Sequence, residues 1–239
     1  MLGGLPVLYG INPHESETVP SHQLGTIGYT PDGRRFRYVQ NNATNAMVAG
    51  EVQQSQVEDT GEQGLSVAAA AVGSFTVTTT STVTVTANEY AEGYVVATVT
   101  GTGIGLYYKI KSHPAATAAT LEITLYDPIT VAFTATTDID IVPNPYALVL
   151  QYATGQTGVP VGVAVLAIPA SSYGWVQSGG PGVCIADASG AVTVGTRVTA
   201  SNQTAGCIED GDSYTQPVVG VALTAISQAE YGMVNLTID

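Results

Sequence analysis

Alternation of apolar and polar residues at a period of two runs through most of this chain. It is clearest between Phe75 and Thr86: Phe75, Val77, Val83 and Val85 fall on one side of an extended segment and an unbroken row of threonines on the other. Successive side chains of a strand point to opposite faces, and β-branched residues suit a half-buried pleated surface. The pattern therefore predicts a half-buried strand, bent midway around Thr79 to Ser81. Further strands are predicted over 94–100, 106–111, 121–126, 129–135 and 139–142, joined by Gly101-Thr102-Gly103-Ile104-Gly105, Ser112-His113-Pro114, Asp127-Pro128 and Thr136-Thr137-Asp138. Connections of hairpin length imply antiparallel pairing. Pro143-Asn144-Pro145-Tyr146 closes this block, and 147–152 with 161–168 reads as one more hairpin around residues 154–158.

From Tyr173 onward, short apolar runs alternate with turn signals: Asp187-Ala188-Ser189-Gly190, Gly195-Thr196, Ser201-Asn202-Gln203 and Glu209-Asp210-Gly211-Asp212. Close spacing of short strands with glycine-rich turns points to a small antiparallel barrel or sandwich. Near the other end, Pro31-Asp32-Gly33 between two strand-like runs has the chemistry of a tight hairpin turn. Beyond it, Phe36 and Tyr38 share one face while Arg35 and Arg37 share the other. Residues 1–25, with Pro6, Pro13 and Pro20 and no clear period, read either as an extended arm or as a disordered terminus. The acidic, glutamine-rich run over 51–64 reads as a short helix or a linker. The expected fold is all-β: an antiparallel β-sandwich (jelly-roll-like or Ig-like) plus a small C-terminal β-barrel or sandwich, with an extended N-terminal arm. The expected pieces are an arm (1–25), a hairpin and linker (26–64), a sandwich (65–146) and a small barrel (147–239).

Length and charge narrow the partners. A chain of 239 residues buries roughly 70–75% of its unfolded surface and needs neither disulfide nor metal to fold. Nineteen acidic against six basic residues give a net charge of −13, so a nucleic acid partner is not expected, because phosphate binding depends on Lys and Arg. Charged residues make up only 10% of the chain, leaving Thr, Ser, Asn and Gln to supply most of the polar exterior. No apolar run approaches the ~18 residues of a membrane helix, and Met1–Pro6 has no basic, apolar signal-peptide character. No membrane association is expected, and synthesis is placed in the cytoplasm.

Candidate chemistry is sparse. There is no Gly-x-Ser-x-Gly, Walker loop, His-Glu-x-x-His or Cys-x-x-Cys, and His14, His22 and His113 are scattered. Catalysis is not expected, nor is a cofactor. Asp138 with Asp140, and Glu209, Asp210 and Asp212, could offer oxygen ligands to Ca²⁺, but neither group has the spacing of a calcium loop, and acidic turns are commonly just solvated; no metal is expected. Cys184 and Cys207 lie in apolar runs and read as buried thiols, or else as a cross-strand disulfide. The interface candidates are Arg34, Arg35 and Arg37, whose guanidinium forks suit acidic neighbours, and Trp175 with Tyr173. Trp175 has two readings, a core residue or an interface anchor.

Several segments together resemble the capsid decoration (cement) proteins of tailed bacteriophages, in particular marine ones: Gly25-Thr26-Ile27-Gly28 with residues 32–39, Tyr107-Tyr108-Lys109-Ile110-Lys111-Ser112-His113-Pro114-Ala115, Ile141-Val142-Pro143-Asn144-Pro145-Tyr146, Gly158-Val159-Pro160-Val161-Gly162-Val163-Ala164, Tyr173-Gly174-Trp175-Val176-Gln177, and the closing Val219-Gly220-Val221-Ala222-Leu223. The resemblance implies a virion component on the capsid exterior. Its partners would be the major capsid protein and further copies of itself, as a homotrimer. It carries no active site. The alternative is a tail-associated or head-fibre protein that binds a host-surface glycan through exposed aromatics such as Tyr107, Tyr173 or Trp175.

Overall fold

A computed structural model describes residues 6–211 and 215–239, and the chain is all-β. Its strands, numbered along the chain, begin with β1 (Val7–Tyr9), β2 (Ser16–Glu17), β3 (Ile27–Tyr29), β4 (Arg35–Gln40) and β5 (Val52–Gln54). A single 3₁₀ turn at Thr60–Glu62 follows. Next come β6 (Leu65–Ser66), β7 (Thr76–Thr80), β8 (Thr84–Val85), β9 (Tyr94–Ala97), β10 (Tyr107–Ser112), β11 (Ala116–Thr117), β12 (Thr120–Leu125) and β13 (Asp138–Val142). The last group is β14 (Leu150–Gln151), β15 (Pro160–Ala164), β16 (Tyr173–Ile185), β17 (Arg197–Ala200), β18 (Ile208–Asp210), β19 (Val218–Ala222) and β20 (Tyr231–Thr237).

These strands form two compact units. One is Glu58–Asn144; the other joins residues 6–57 to 145–239. The hairpin segment and the C-terminal segment, separate pieces by sequence pattern, are therefore one unit interrupted by an insertion. The reason is pairing: β4 and β5 have too little apolar surface of their own and find their partners in β14, β15 and β16.

In the inserted unit the strand order is β6-β13-β9-β10-β12-β7, and the Val67–Thr79 bridge brings the two ends of the sheet together. The first half of β10 pairs with β9 and its second half with β12, the change coming at an irregularity between Ile110 and Ser112. One strand thus serves both layers, which is how a sandwich turns a corner. Val77, Val95, Ile110, Leu121, Ile123, Ile139 and Ile141 fill the interior, each essentially without exposure. The threonine-rich segment breaks after Thr80 as its pattern suggested, and Thr79 and Ser81 point inward with the valines. Thr79 is accommodated because its hydroxyl donates to the Ser66 carbonyl at 2.9 Å. Phe75 departs from the pattern. It lies before β7 and is half exposed. The strand expected over 129–135 is only a bridge between Ala70 and Phe133, with Ile129 and Phe133 buried as core plugs.

The second unit is organised by β16, thirteen residues long. Along one edge lies β4, from Tyr173–Gln40 to Gly179–Arg35. Along the other edge come β2, β15 and β20 in succession, at residues 173–174, 176–177 and 179–185. From Gly179 on, β16, β20, β19, β17 and β18 form a small barrel, closed by the parallel bridge between Ala186 and Ile208. Cys184, Val198, Ile208, Val219, Val234 and Leu236 pack inside it. Cys184 and Cys207 are both free thiols, and burial pushes the Cys184 thiol up to about 12. The arm is not loose over its described length: β1 pairs with β3 in parallel, and β2 pairs with β16. The expected hairpin of 147–152 with 161–168 does not form, because β5 lies between the two strands. The buried Gln54 side chain holds this arrangement, accepting from the Ala153 amide at 3.0 Å and donating to Thr157 at 2.9 Å.

β16 changes partners at an irregularity around Ser178. There the buried Gln177 amide donates to the carbonyls of Gly179, Gly180 and Pro181 at 3.1, 3.3 and 2.8 Å. Those carbonyls sit where β16 leaves β4 and continues with β20 alone, so the side chain adds hydrogen bonds where the β4 ladder has ended. Gln177→Leu keeps the volume and removes the donor. It should lower the unfolding free energy of this unit by about 2–3 kcal/mol, followed in denaturant by the fluorescence of Trp175, the sole tryptophan. A loss below about 0.5 kcal/mol, the scatter of a surface substitution, would show that the bend is held by something else.

Candidate functional site

Two of the three arginines at the start of β4 pair with acids of the same chain. Arg37 clasps the Asp239 carboxylate with both Nε and Nη2, donates from Nη1 to the Gly25 carbonyl at 2.9 Å, and lies over the Tyr146 ring. Arg34 pairs with Asp32 at 2.8 Å and lies 5.6 Å above the Phe36 ring. Arg35 folds against Gly179, and its Nε is buried without a hydrogen-bond partner among the described residues. The expected alternation holds, with Phe36 and Tyr38 buried and Arg35 and Arg37 half-buried on the opposite face. Of the three arginines, Arg34 alone lines a cleft.

Trp175 is core, not contact surface. It is 5% exposed and packs with Phe36, Tyr38 and the His22 ring. Gly28 permits this: a Cβ there would come within 2.8 Å of the indole. Tyr173 is half-buried and stacks on Tyr38 at 6.2 Å between ring centres. Beside this cluster, a recess of about 270 Å³ is lined by Glu15, Glu17, Ser21, His22, Tyr38 and Trp175, among others. Its polar groups fasten the arm: the Tyr38 hydroxyl donates to Glu17 and accepts from the Ser21 amide, and the Ser21 hydroxyl donates to Glu17 at 2.5 Å. Burial and the Glu17 contact push the Tyr38 phenol up to about 12. Burial works to raise Glu17, yet these hydrogen bonds and the nearby His22 bring it below its ordinary value.

The second recess is larger and apolar. A cleft of about 550 Å³ is bounded by Ala49, Gly50, Ala164, Val165, Pro181, Val183, Tyr231 and Met233, together with His14, Asp32 and Arg34. Register explains why these residues meet: Val183 is opposite Met233 and Ile185 opposite Tyr231 across β16 and β20, so their side chains share the outer face of the barrel. Gly50, at φ +84°, lets the Tyr231 ring approach to where a Cβ would sit within 2.6 Å. On this outer face Tyr231 is 55% and Val183 46% exposed, and β19 adds the exposed Val221, followed by Leu223. Leu223 is tied to Met233 by its amide at 2.8 Å. Contiguous exposed apolar surface of this kind is a candidate contact surface. Sequence reading missed it because an outward valine on an alternating strand looks like any other; only barrel closure gathers them.

Ionisable groups do not converge here. His14, His22 and His113 remain apart: His14 lines the apolar cleft, His22 the polar recess, and His113 is buried in the inserted unit, where its Nε2 accepts from the Tyr90 amide at 2.9 Å. Asp138 and Asp140 are engaged by Ser66, Thr100 and the Gly64 amide. Asp212, the end of the second acidic group, lies outside the described residues, as does most of the Met1–Pro6 segment. Among the described residues, no three His, Cys, Asp or Glu are placed to hold a metal ion. No helix among the described residues is long and apolar enough to cross a membrane. No protein-family model, curated protein or solved structure matches the chain.

The Arg37–Asp239 pair yields a pH prediction. The hydrogen bond from Arg37, against the opposing effect of burial, holds the Asp239 carboxyl below its ordinary range. A carboxyl depressed by folding contributes stability above its unfolded value of about 3.9, and that contribution is lost as pH falls through the lower folded value. Asp239→Asn should therefore cost about 1 kcal/mol at neutral pH. In urea titrations the gap between variant and parent should close below about pH 3; a gap that stays constant with pH would contradict the assignment.

Proposed function

We propose that this chain is a capsid decoration protein of a tailed bacteriophage. In this reading it binds, as a homotrimer, the outer surface of the major capsid protein lattice and stabilises the head. Its work is mechanical rather than catalytic: each bound copy adds buried area across seams that internal pressure tends to open. The observation that carries the reading is the apolar band of Val183, Val221, Leu223, Tyr231 and Met233 running into the 550 Å³ cleft. It supplies a docking face, with Arg34 lining the same cleft as a point of contact for an acidic neighbour. A low charge content and a surface of threonine-rich strands also support a protein that spends its life against other proteins. So does the likeness of the glycine and proline framework to decoration proteins. Repeating a modest contact of roughly 1,600 Å² or less through a trimer gives tight attachment by avidity.

The band is the place to test this. Val183→Asp combined with Leu223→Asp puts carboxylates on exposed positions, where folding tolerates them. Binding of the purified protein to expanded, undecorated heads should weaken at least tenfold, or about 1.4 kcal/mol, with the circular dichroism spectrum unchanged. Undiminished binding by a folded variant would remove the band from the mechanism.

A further inference from the structure

The inserted unit carries its own exposed aromatic feature, separate from the docking band. On the outer face of its sheet, Val142, Tyr94 and Lys109 lie in one row across β13, β9 and β10, and Asp140, Val96 and Tyr107 in the next. Tyr94 and Tyr107 are diagonal neighbours, edge to face, with ring centres 5.7 Å apart. Tyr107 is 67% exposed. The pair makes a ridge with a hollow on each side. One, of about 260 Å³, is apolar and bounded by Val96 and Val142. The other, of about 410 Å³, reaches Lys109, Asp127, Pro128 and Thr130.

We propose that this ridge is a saccharide-binding site for an uncharged oligosaccharide chain, one sugar ring lying in each hollow. The C–H faces of a pyranose match the electron-rich faces of the two tyrosines. The rings brace each other, and a tyrosine has only two side-chain torsions to fix, so little freedom is lost on binding. The equatorial hydroxyls of the same sugar need acceptors, and the exposed Asp127 carboxylate, which has no hydrogen-bond or ion-pair partner among the described residues, lies in the second hollow. An apolar protein surface laid over the ridge would bury that carboxylate unpaired, at a cost of several kcal/mol; a sugar satisfies ring and carboxylate together. Charge selects the class of glycan. Lys109 is neutralised by Glu92 at 2.6 Å and held over the Tyr126 ring. Asp127 and Asp140 flank the ridge, and the chain carries −13 overall, so sulfated or phosphorylated glycans are repelled.

The test is isothermal titration of the full chain with cellohexaose, chitohexaose and maltohexaose at millimolar concentration, with heparin as the anionic comparison. At least one neutral hexasaccharide should bind and heparin should not. Tyr107→Ala should weaken that binding tenfold or more, and Asp127→Ala about threefold or more. Tyr107→Trp, which keeps an aromatic face, should retain it, so that a loss in the alanine variant cannot be put down to misfolding. The proposal is overturned if none of the three hexasaccharides binds, if heparin binds as well as they do, or if Tyr107→Ala binds within twofold of the parent. It is also overturned if Tyr107→Ala instead changes the sedimentation of the protein without sugar, which would make the ridge a contact between copies.

Discussion

One side-chain amide determines what β16 can be. A strand that pairs with β4 through Gly179 and with β20 from Gly179 onward must bend out of one sheet and into a barrel. Beyond Gly179 the β4 edge of β16 has no strand beside it, and an unpaired buried carbonyl is expensive. Gln177 answers that cost with three contacts from one nitrogen. Glycine and proline at 179–182 leave room for the amide and relieve the turn: a Cβ at Gly182 would come within 3.1 Å of the glutamine oxygen. The buried glutamine therefore sits at the point where β16 passes from its pairing with β4 to its pairing with β20.

The insertion has a second consequence. β1, β3 and β4 pair locally, but β2, β4 and β5 meet β14, β15 and β16 only after the chain has passed through Glu58–Asn144 and returned. Contacts of such long sequence separation form slowly. The inserted unit, with its own closed sheet and apolar interior, depends on no such delay. The two units also differ in the surface they present. One unit presents an apolar band and cleft, and the other a tyrosine ridge of a different chemistry.

Much of the architecture could be read from residue pattern because strand faces have a period of two. The Pro31-Asp32-Gly33 turn closes with the Thr30 amide on the Arg34 carbonyl at 3.1 Å, and Gly33 takes φ +85°. The Tyr173 strand and the small barrel after it were legible for the same reason. Pairing partners were not. Nothing in the acidic run over 51–64 announces that Val52–Gln54 forms a fully buried central strand, since two of its three residues are glutamines whose burial depends on partners distant in sequence. The partner of Arg37 was not legible for a related reason: Asp239 lies 202 residues from it, and no local pattern reveals that pairing. Of the two readings of Trp175, core residue or interface anchor, it is the core, and Gly28 on β3, beyond the intervening β4, makes room for the indole.

The account stands on the barrel face of the larger unit being pressed against a protein shell. A cryo-electron microscopy reconstruction of particles carrying this protein tests it directly. The account predicts threefold density on the outside of the head, repeated over the lattice, with β19 and β20 turned toward the capsid. Density confined to the tail or to one vertex, or copies on the head whose Val183 and Tyr231 face solvent, would contradict it.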